Sequence, residues 1–414
     1  MANNQQVSKS PAVSAALVAL LLYVVVNAGL AVSRTRFGEP FASPYHGWSY
    51  WSVQAMHNAD PARVNVVMLG SSLVVSAVSE CEALFKNQAL DLCFYRRSEY
   101  FDRQMQRFLN KPYETLNLAT PGQIPSDAYL VLKTALANGI NPGLVIYGIA
   151  PRDFIDHTLN NAGDTEPFHY LSRLVPVDEC TDEIYSTPLS QFDLKLRQTV
   201  KLYGDSPDII SALQPFMRDF VHSADGDLFH RLNDQTFMQV PLAHFDKDSQ
   251  NPNVFPGTAI AEVPSSTSRP FLDNTEDYKC RYKQPNDGNY QAQVRFLDKL
   301  IALCQANDVN IVIVNMPITK GNVQLLEPAW RERYFADVQR IVKLHNVPFL
   351  DQCQFEAYAP DDFCDTVHLN GFGGRKFLDL LVARLIKEPA TNRLVVAAGD
   401  HGKRSVSTSR SGID

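Results

Sequence analysis

The chain has 414 residues, with 38 Lys or Arg against 45 Asp or Glu, a formal net charge of −7. Hydrophobic residues make up 45% and charged residues 20%, a globular mixture that excludes a disordered or low-complexity chain. Mild acidity without a clustered basic face excludes nucleic acid as an expected partner.

Residues 1–10 read as a short tail. Pro11–Val32 (PAVSAALVALLLYVVVNAGLAV) carries no charge and is mostly apolar. A helix of that length reaches across a hydrocarbon core of about 30 Å. Its apolar stretch exceeds the roughly 7–15 residues of a secretory signal, so the expectation is an uncleaved single-pass anchor. Cleavage after Gly29-Leu30-Ala31 is the alternative. Lys9 on one side and Arg34 and Arg36 on the other give a weak positive-inside bias against export. Large domains cross largely regardless of such charges, and an extracytoplasmic body is expected. Residues 33–62, rich in aromatics and Pro, read as a stalk or a segment draped over that body. Trp48 and Trp51 in it suit a membrane interface or a sugar ring.

A body over residues 63–388 follows. Short apolar runs predict strands at Val64–Leu69, Thr115–Leu118, Leu144–Ile149, Asn310–Asn315 and Val347–Leu350. Helical spacing fills the gaps: Ser126–Ala137, capped by Ser126 and stopped by Gly139, then Asn289–Ala306, Pro328–His345 and Gly374–Lys387. Strands alternating with helices predict an α/β fold on a mostly parallel sheet. Residues 155–286 break the rhythm and read as an insertion on the rim where the strands end. They hold helical stretches at Leu189–Leu202 and Asp208–Val221 and a Pro/Ser/Asn-rich run at Asp246–Asp273. Residues 389–414 turn small and polar and read as a disordered tail.

The seven cysteines are an odd number and form no C-x-x-C, which excludes zinc ribbons and thioredoxin-like motifs. In an oxidising compartment, Cys81–Cys93 and Cys353–Cys364 are the expected short-loop disulfides; seven reduced thiols is the alternative. Cys304 reads as a core thiol. His157 and His169 lack ligand spacing, and no G-x-G-x-x-G or Walker loop is present, so neither metal nor cofactor is expected.

Three segments carry possible chemistry, each where a strand passes into a loop. Gly70-Ser71-Ser72-Leu73 follows the first strand. A serine at such a turn is held out of the core, with backbone N–H groups free to meet an oxyanion. A plain capping role suits it equally. Asp365-x-x-His368 lies before the last helix of the body. An Asp three residues before a His reaches the imidazole Nδ1 and leaves Nε2 for a serine proton. Gly148-Ile-Ala-Pro-Arg152-Asp153 follows the third strand.

In this order the blocks resemble the SGNH (GDSL-like) hydrolase superfamily, over roughly residues 64–151 and 289–387. The resemblance implies a three-layer α/β/α sandwich and makes Ser72 the nucleophile, with Asp365 and His368 completing the triad. Ser71 stands where that family has Asp. Asn117-Leu-Ala-Thr-Pro-Gly122 matches the second block, which implies an oxyanion hole of the Ser72 and Gly122 amides. A turn glycine is the alternative reading of Gly122. Arg152 replaces the Asn expected as third donor. Its guanidinium either meets the oxyanion or an anionic substrate group, or is ion-paired to Asp153 or Asp156.

The architecture is similar to the cell-envelope branch of the family, which includes proteins of alginate acetylation and teichoic-acid D-alanylation. The expected activity is a serine esterase or O-acyltransferase on short acyl esters of an envelope or exported polysaccharide, within an envelope biosynthesis complex. An inactive module in polysaccharide assembly or export is one alternative. A lipase or thioesterase is the other.

Overall fold

The computed structural model describes residues 11–32, 47–156, 161–185, 187–204, 206, 209, 260–261 and 271–410. Two compact units divide the chain, Met1–Tyr45 with Tyr185–Val240, and His46–Ile184 with Pro241–Asp414. In the first unit Pro11–Val32 is helical, as are Pro188–Thr199 and Lys201–Gly204. The helix Pro11–Val32 exposes Leu17, Leu20, Leu21 and Val25. Its one mid-helix amide, Asn27, accepts the Leu202 N–H at 3.2 Å. Among the described residues no helix is long and apolar enough to cross a membrane.

The second unit is α/β. Seven strands are described: β1 (Val66–Gly70), β2 (Leu90–Asp91), β3 (Thr115–Asn117), β4 (Leu144–Ile149), β5 (Ile260–Ala261), β6 (Asn310–Asn315) and β7 (Phe349–Asp351). Five form one parallel sheet in the order β3-β1-β4-β6-β7. Its register pairs Val66 with Thr115 and Leu144, Leu144 with Asn310, and Ile313 with Phe349. Every residue of β1, β3 and β4 is buried, which explains the uninterrupted apolar runs, since a parallel sheet is covered on both faces. The helices Ser72–Lys86, Glu99–Leu109, Gly371–Lys387 and Pro389–Arg410 pack among themselves. Pro125–Ala137, Asp287–Ala306 and Glu166–Leu171 form a second group. The result is an α/β sandwich.

The five expected sheet strands form within two residues of their anticipated ends. The helix at 125–137 starts differently. Ser126 lies inside it and donates its N–H to Gln293 Oε1 at 2.9 Å. Pro125 occupies the first turn, its fixed φ suiting that place, and the Asp127 carboxylate accepts the Ile124 N–H at 3.2 Å.

Three other expectations are corrected. The segment from residue 389 is not a disordered tail where it is described, because Pro389–Arg410 is a helix. Val395 and Ala398 are fully buried, and Tyr113 Oη donates to the Val395 carbonyl at 2.7 Å. The polar residues that end the chain masked this short apolar run. Of the two readings of residues 33–62, the described part is a segment laid on the body and not a free stalk. Trp48–Asn58 is a helix with Trp51 and Met56 buried, and Ser49 Oγ donates to Glu166 Oε2 at 2.7 Å.

All seven cysteines are free thiols, so neither Cys81–Cys93 nor Cys353–Cys364 is a disulfide. Cys81 is buried in the helix Ser72–Lys86, and burial pushes its thiol well up. Cys93 packs with Trp51 and is pushed up to about 12. Cys304 is a core thiol as expected. The Asp208–Val221 helix and the Asp246–Asp273 run lie outside the described residues, apart from 209, 260–261 and 271–273. Ile260–Ala261 pairs antiparallel with β2.

Candidate active site

The chain runs from β1 to β3 on one side and places β4 on the other. The crevice beyond the carboxyl end of β1 is therefore the topological switch point, where open α/β sheets bind ligands. Gly70 ends β1 at φ +144°, and a Cβ there would meet Val74 Cγ2 at 2.4 Å and the Gly148 carbonyl at 2.7 Å. Only glycine lets the strand turn this sharply into a helix. Ser71, in extended conformation, is the N-cap, and Ser72 is the first helical residue. No described residue accepts the Ser72 N–H, as expected of an amide in the first turn of a helix.

The C-terminal block folds as a tight loop. Phe363 bridges to Leu369, and the Cys364 N–H donates to the His368 carbonyl at 2.9 Å. Asn370 then caps the next helix, its Oδ1 accepting the Phe372 and Gly373 amides at 3.0 and 3.1 Å. Inside the loop Asp365 Oδ1 accepts the Val367 and His368 N–H groups at 2.8 and 2.7 Å. Its other oxygen lies 2.6 Å from His368 Nδ1, and His368 Nε2 lies 2.8 Å from Ser72 Oγ. Burial alone would raise the Asp365 carboxyl, but the His368 ring and these two amides outweigh it and hold it below the usual range. Asp365 is thus an ionised orienter with its lone pairs engaged. The sequence-expected residues Ser72, Asp365 and His368 meet in the geometry of a nucleophile, a base and the group that fixes the base's tautomer.

The second block supplies a turn. Gln123 N–H donates to the Thr120 carbonyl at 3.0 Å, with Pro121 and Gly122 between them and Gly122 at φ +76°. This is a type II turn, whose third position demands positive φ. The turn reading of Gly122 is the one this geometry shows. The turn requires the glycine, and no described residue accepts its N–H. Asn117 Oδ1 accepts the Ala119 N–H at 3.1 Å, fixing the start of this loop.

Arg152 is engaged elsewhere. Its Nε lies 3.2 Å from Asp156 Oδ2, its Nη1 3.8 Å from Asp153 Oδ1, and Arg281 Nη1 reaches the same Asp156 oxygen at 2.6 Å. Of the two sequence readings, the ion pair is the one these contacts fill, and no hydrogen bond joins Arg152 to Ser72 or His368. Asp153 is buried and pushed up to about 6 by that burial, against the pull of Arg152, the Ala150 amide and the Ser71 hydroxyl.

Two supporting residues were not anticipated. Gln123, fully buried, accepts the Gly70 N–H on Oε1 at 2.7 Å and donates to the Leu118 carbonyl at 3.1 Å. It links the end of β1 to the Gly122 turn. Arg96, buried beneath Trp48, donates to the Ala119 carbonyl at 3.0 Å, and burial lowers it to about 10. Neither contact leaves a local sequence pattern.

No protein-family model matches the chain. No curated protein matches it either.

Proposed function

We propose that the chain is a serine esterase or O-acyltransferase acting on short acyl, notably acetyl, esters of an envelope or exported polysaccharide. The observation that carries this reading is the unbroken Ser72 Oγ–His368 Nε2 and His368 Nδ1–Asp365 Oδ2 relay, at 2.8 and 2.6 Å. Ser72 attacks the acyl carbonyl while His368 takes its proton, and ionised Asp365 stabilises the imidazolium that forms. The amides of Ser72 and Gly122 meet the oxyanion. His368 returns the proton to the departing alcohol, and water or a sugar hydroxyl then releases the acyl group from Ser72. Arg152 acts through its carboxylates and not as a third donor. The charge-free segment Pro11–Val32 supports a membrane anchor, with the α/β unit outside the cytoplasm and of the SGNH hydrolase type.

A lipase or thioesterase is the second reading, favoured by the exposed side chains of Phe271 and Leu272 beside the Asp365 loop. The test is turnover of p-nitrophenyl esters of increasing chain length, with fluorophosphonate labelling, for the wild type, Ser72→Ala and His368→Ala. Both variants are expected to lose at least about 10³-fold in kcat and to lose labelling, with acetyl preferred over long chains. Normal labelling of a folded His368→Ala protein overturns the triad. Preference for long chains moves the assignment to a lipase or thioesterase.

A further inference from the structure

Thr366, between the triad's acid and base, uses all its hydrogen-bonding groups. Its N–H donates to Asn274 Oδ1 at 3.2 Å, and its hydroxyl donates to the same oxygen while accepting from Asn322 Nδ2 at 3.0 Å. Its carbonyl accepts the Thr319 N–H at 3.1 Å and the Thr319 hydroxyl at 2.7 Å. Asn322 is fully buried, and its Oδ1 accepts from Tyr282 Oη at 3.1 Å. Two residues before Thr366, the Cys364 carbonyl accepts the Leu272 N–H at 2.8 Å, and Leu272 runs parallel beside Asp365.

The triad loop is therefore gripped from two sides. One grip comes from residues 319–322, which follow β6. The other comes from residues 272–274, at the end of the segment that interrupts the α/β alternation. Asn274 is also the N-cap of the helix Thr275–Tyr282, yet its side chain makes no capping bond to that helix. The described hydrogen bonds of its side-chain Oδ1 go to Thr366. An amide at a helix start ordinarily caps its own helix, so here that capacity is directed at the triad loop.

We propose that Asn274 is a positioning residue for the reaction. Through Thr366 it fixes the loop that aims Asp365 at His368, and the insertion thereby sets the competence of the triad. This rests on the serine-hydrolase reading. A relay of this kind depends on sub-ångström placement of its members, and a loop of alternating N–H and carbonyl contacts transmits a shift at residue 366 directly to its neighbour 365.

The experiment compares the full chain in detergent as wild type, Asn274→Ala, Thr366→Val and Thr366→Ser. It measures p-nitrophenyl acetate kinetics, fluorophosphonate labelling rate and thermal midpoint, all assays being run well below the lowest midpoint. Asn274→Ala and Thr366→Val are expected to lower kcat and labelling about tenfold while KM stays within about twofold. Thr366→Ser, which keeps the hydroxyl, is expected to restore both. Ser72-dependent labelling at unchanged rate in the two damaging variants overturns the inference and leaves the hydrolase reading standing. A kcat loss that Thr366→Ser does not restore, and that follows the thermal midpoint, assigns the contacts to folding alone and also overturns it. A wild type without Ser72-dependent labelling overturns the hydrolase reading itself.

Discussion

The hydroxyl of Ser76 donates to the carbonyl of Leu369 at 2.6 Å. Ser76 stands one helical turn beyond Ser72, and Leu369 directly follows His368. The nucleophile's helix and the base's loop are thus joined beside the Ser72–His368 contact as well as at it. Removing the hydroxyl leaves the Leu369 carbonyl without this partner, at a cost of about 1 kcal/mol. Ser76→Ala is expected to lower the thermal midpoint by a few degrees and kcat on p-nitrophenyl acetate about three- to tenfold. Steady-state kinetics with a parallel melt checks this, and an unchanged kcat contradicts the coupling.

Gln123 offers a sharper test of the oxyanion loop. It is fully buried, and its side chain satisfies the Gly70 N–H and the Leu118 carbonyl together. Gln123→Ala orphans both groups, and each buried unpaired group costs about 1–3 kcal/mol. The variant is expected to melt several degrees lower and to lose more in kcat than in KM, because the Gly122 turn is released from β1. A rise in KM with kcat unchanged would show that the turn serves binding only.

Stability should depend on pH in a direction unusual for carboxylates. Burial pushes Asp102, Asp127 and Glu166 each up to about 7, from ordinary values of 3.8 for Asp and 4.5 for Glu. The folded chain holds protons there that the unfolded chain releases. Their contribution is fully present below the ordinary values and is lost as pH rises toward 7. Asp365 is held below its ordinary value, so its contribution is present above that value and is lost in stronger acid. Thermal midpoints should therefore fall between about pH 5 and pH 7. In Asp127→Asn the slope should flatten by about 1.4 kcal/mol per pH unit, one carboxyl's share. Melting curves across this range decide the matter, and an identical slope means that Asp127 is ionised in the fold.

With every thiol free, reducing agent should leave the thermal midpoint unchanged. Iodoacetamide at neutral pH should alkylate Cys280, the one exposed thiol, first. Cys81, Cys93 and Cys304 should react only after unfolding, since burial raises all three thiols and the thiolate is the reactive form. Peptide mapping after timed labelling reads the order directly.

What was legible in the residues follows from which forces act locally. Strands buried on both faces must be apolar along their whole length, so Leu144–Ile149 and Asn310–Asn315 announce themselves with their observed ends. The Asp365–His368 pairing closes over three residues, and the type II turn is carried by Pro121 and Gly122, so both leave marks in the sequence. The Gln123–Gly70 and Asn274–Thr366 bonds span 53 and 92 residues, and a polar side chain bound for a distant backbone group looks like any other. The helix from Pro389 was hidden for another reason. Its burial comes from Tyr113 and its neighbours, not from its own composition. The free thiols reflect packing, since Cys81 and Cys93 each fill a place among apolar side chains.

The Ser72–His368 contact joins residues 296 positions apart. During synthesis Ser72 is therefore made early and meets His368 only when almost the whole body has left the ribosome. A chain truncated before Asp365, or proteolysed into a fragment lacking it, holds a serine with no base to activate it. On the proposed hydrolase reading, the arrival of the last segment of the body is the event that arms the serine.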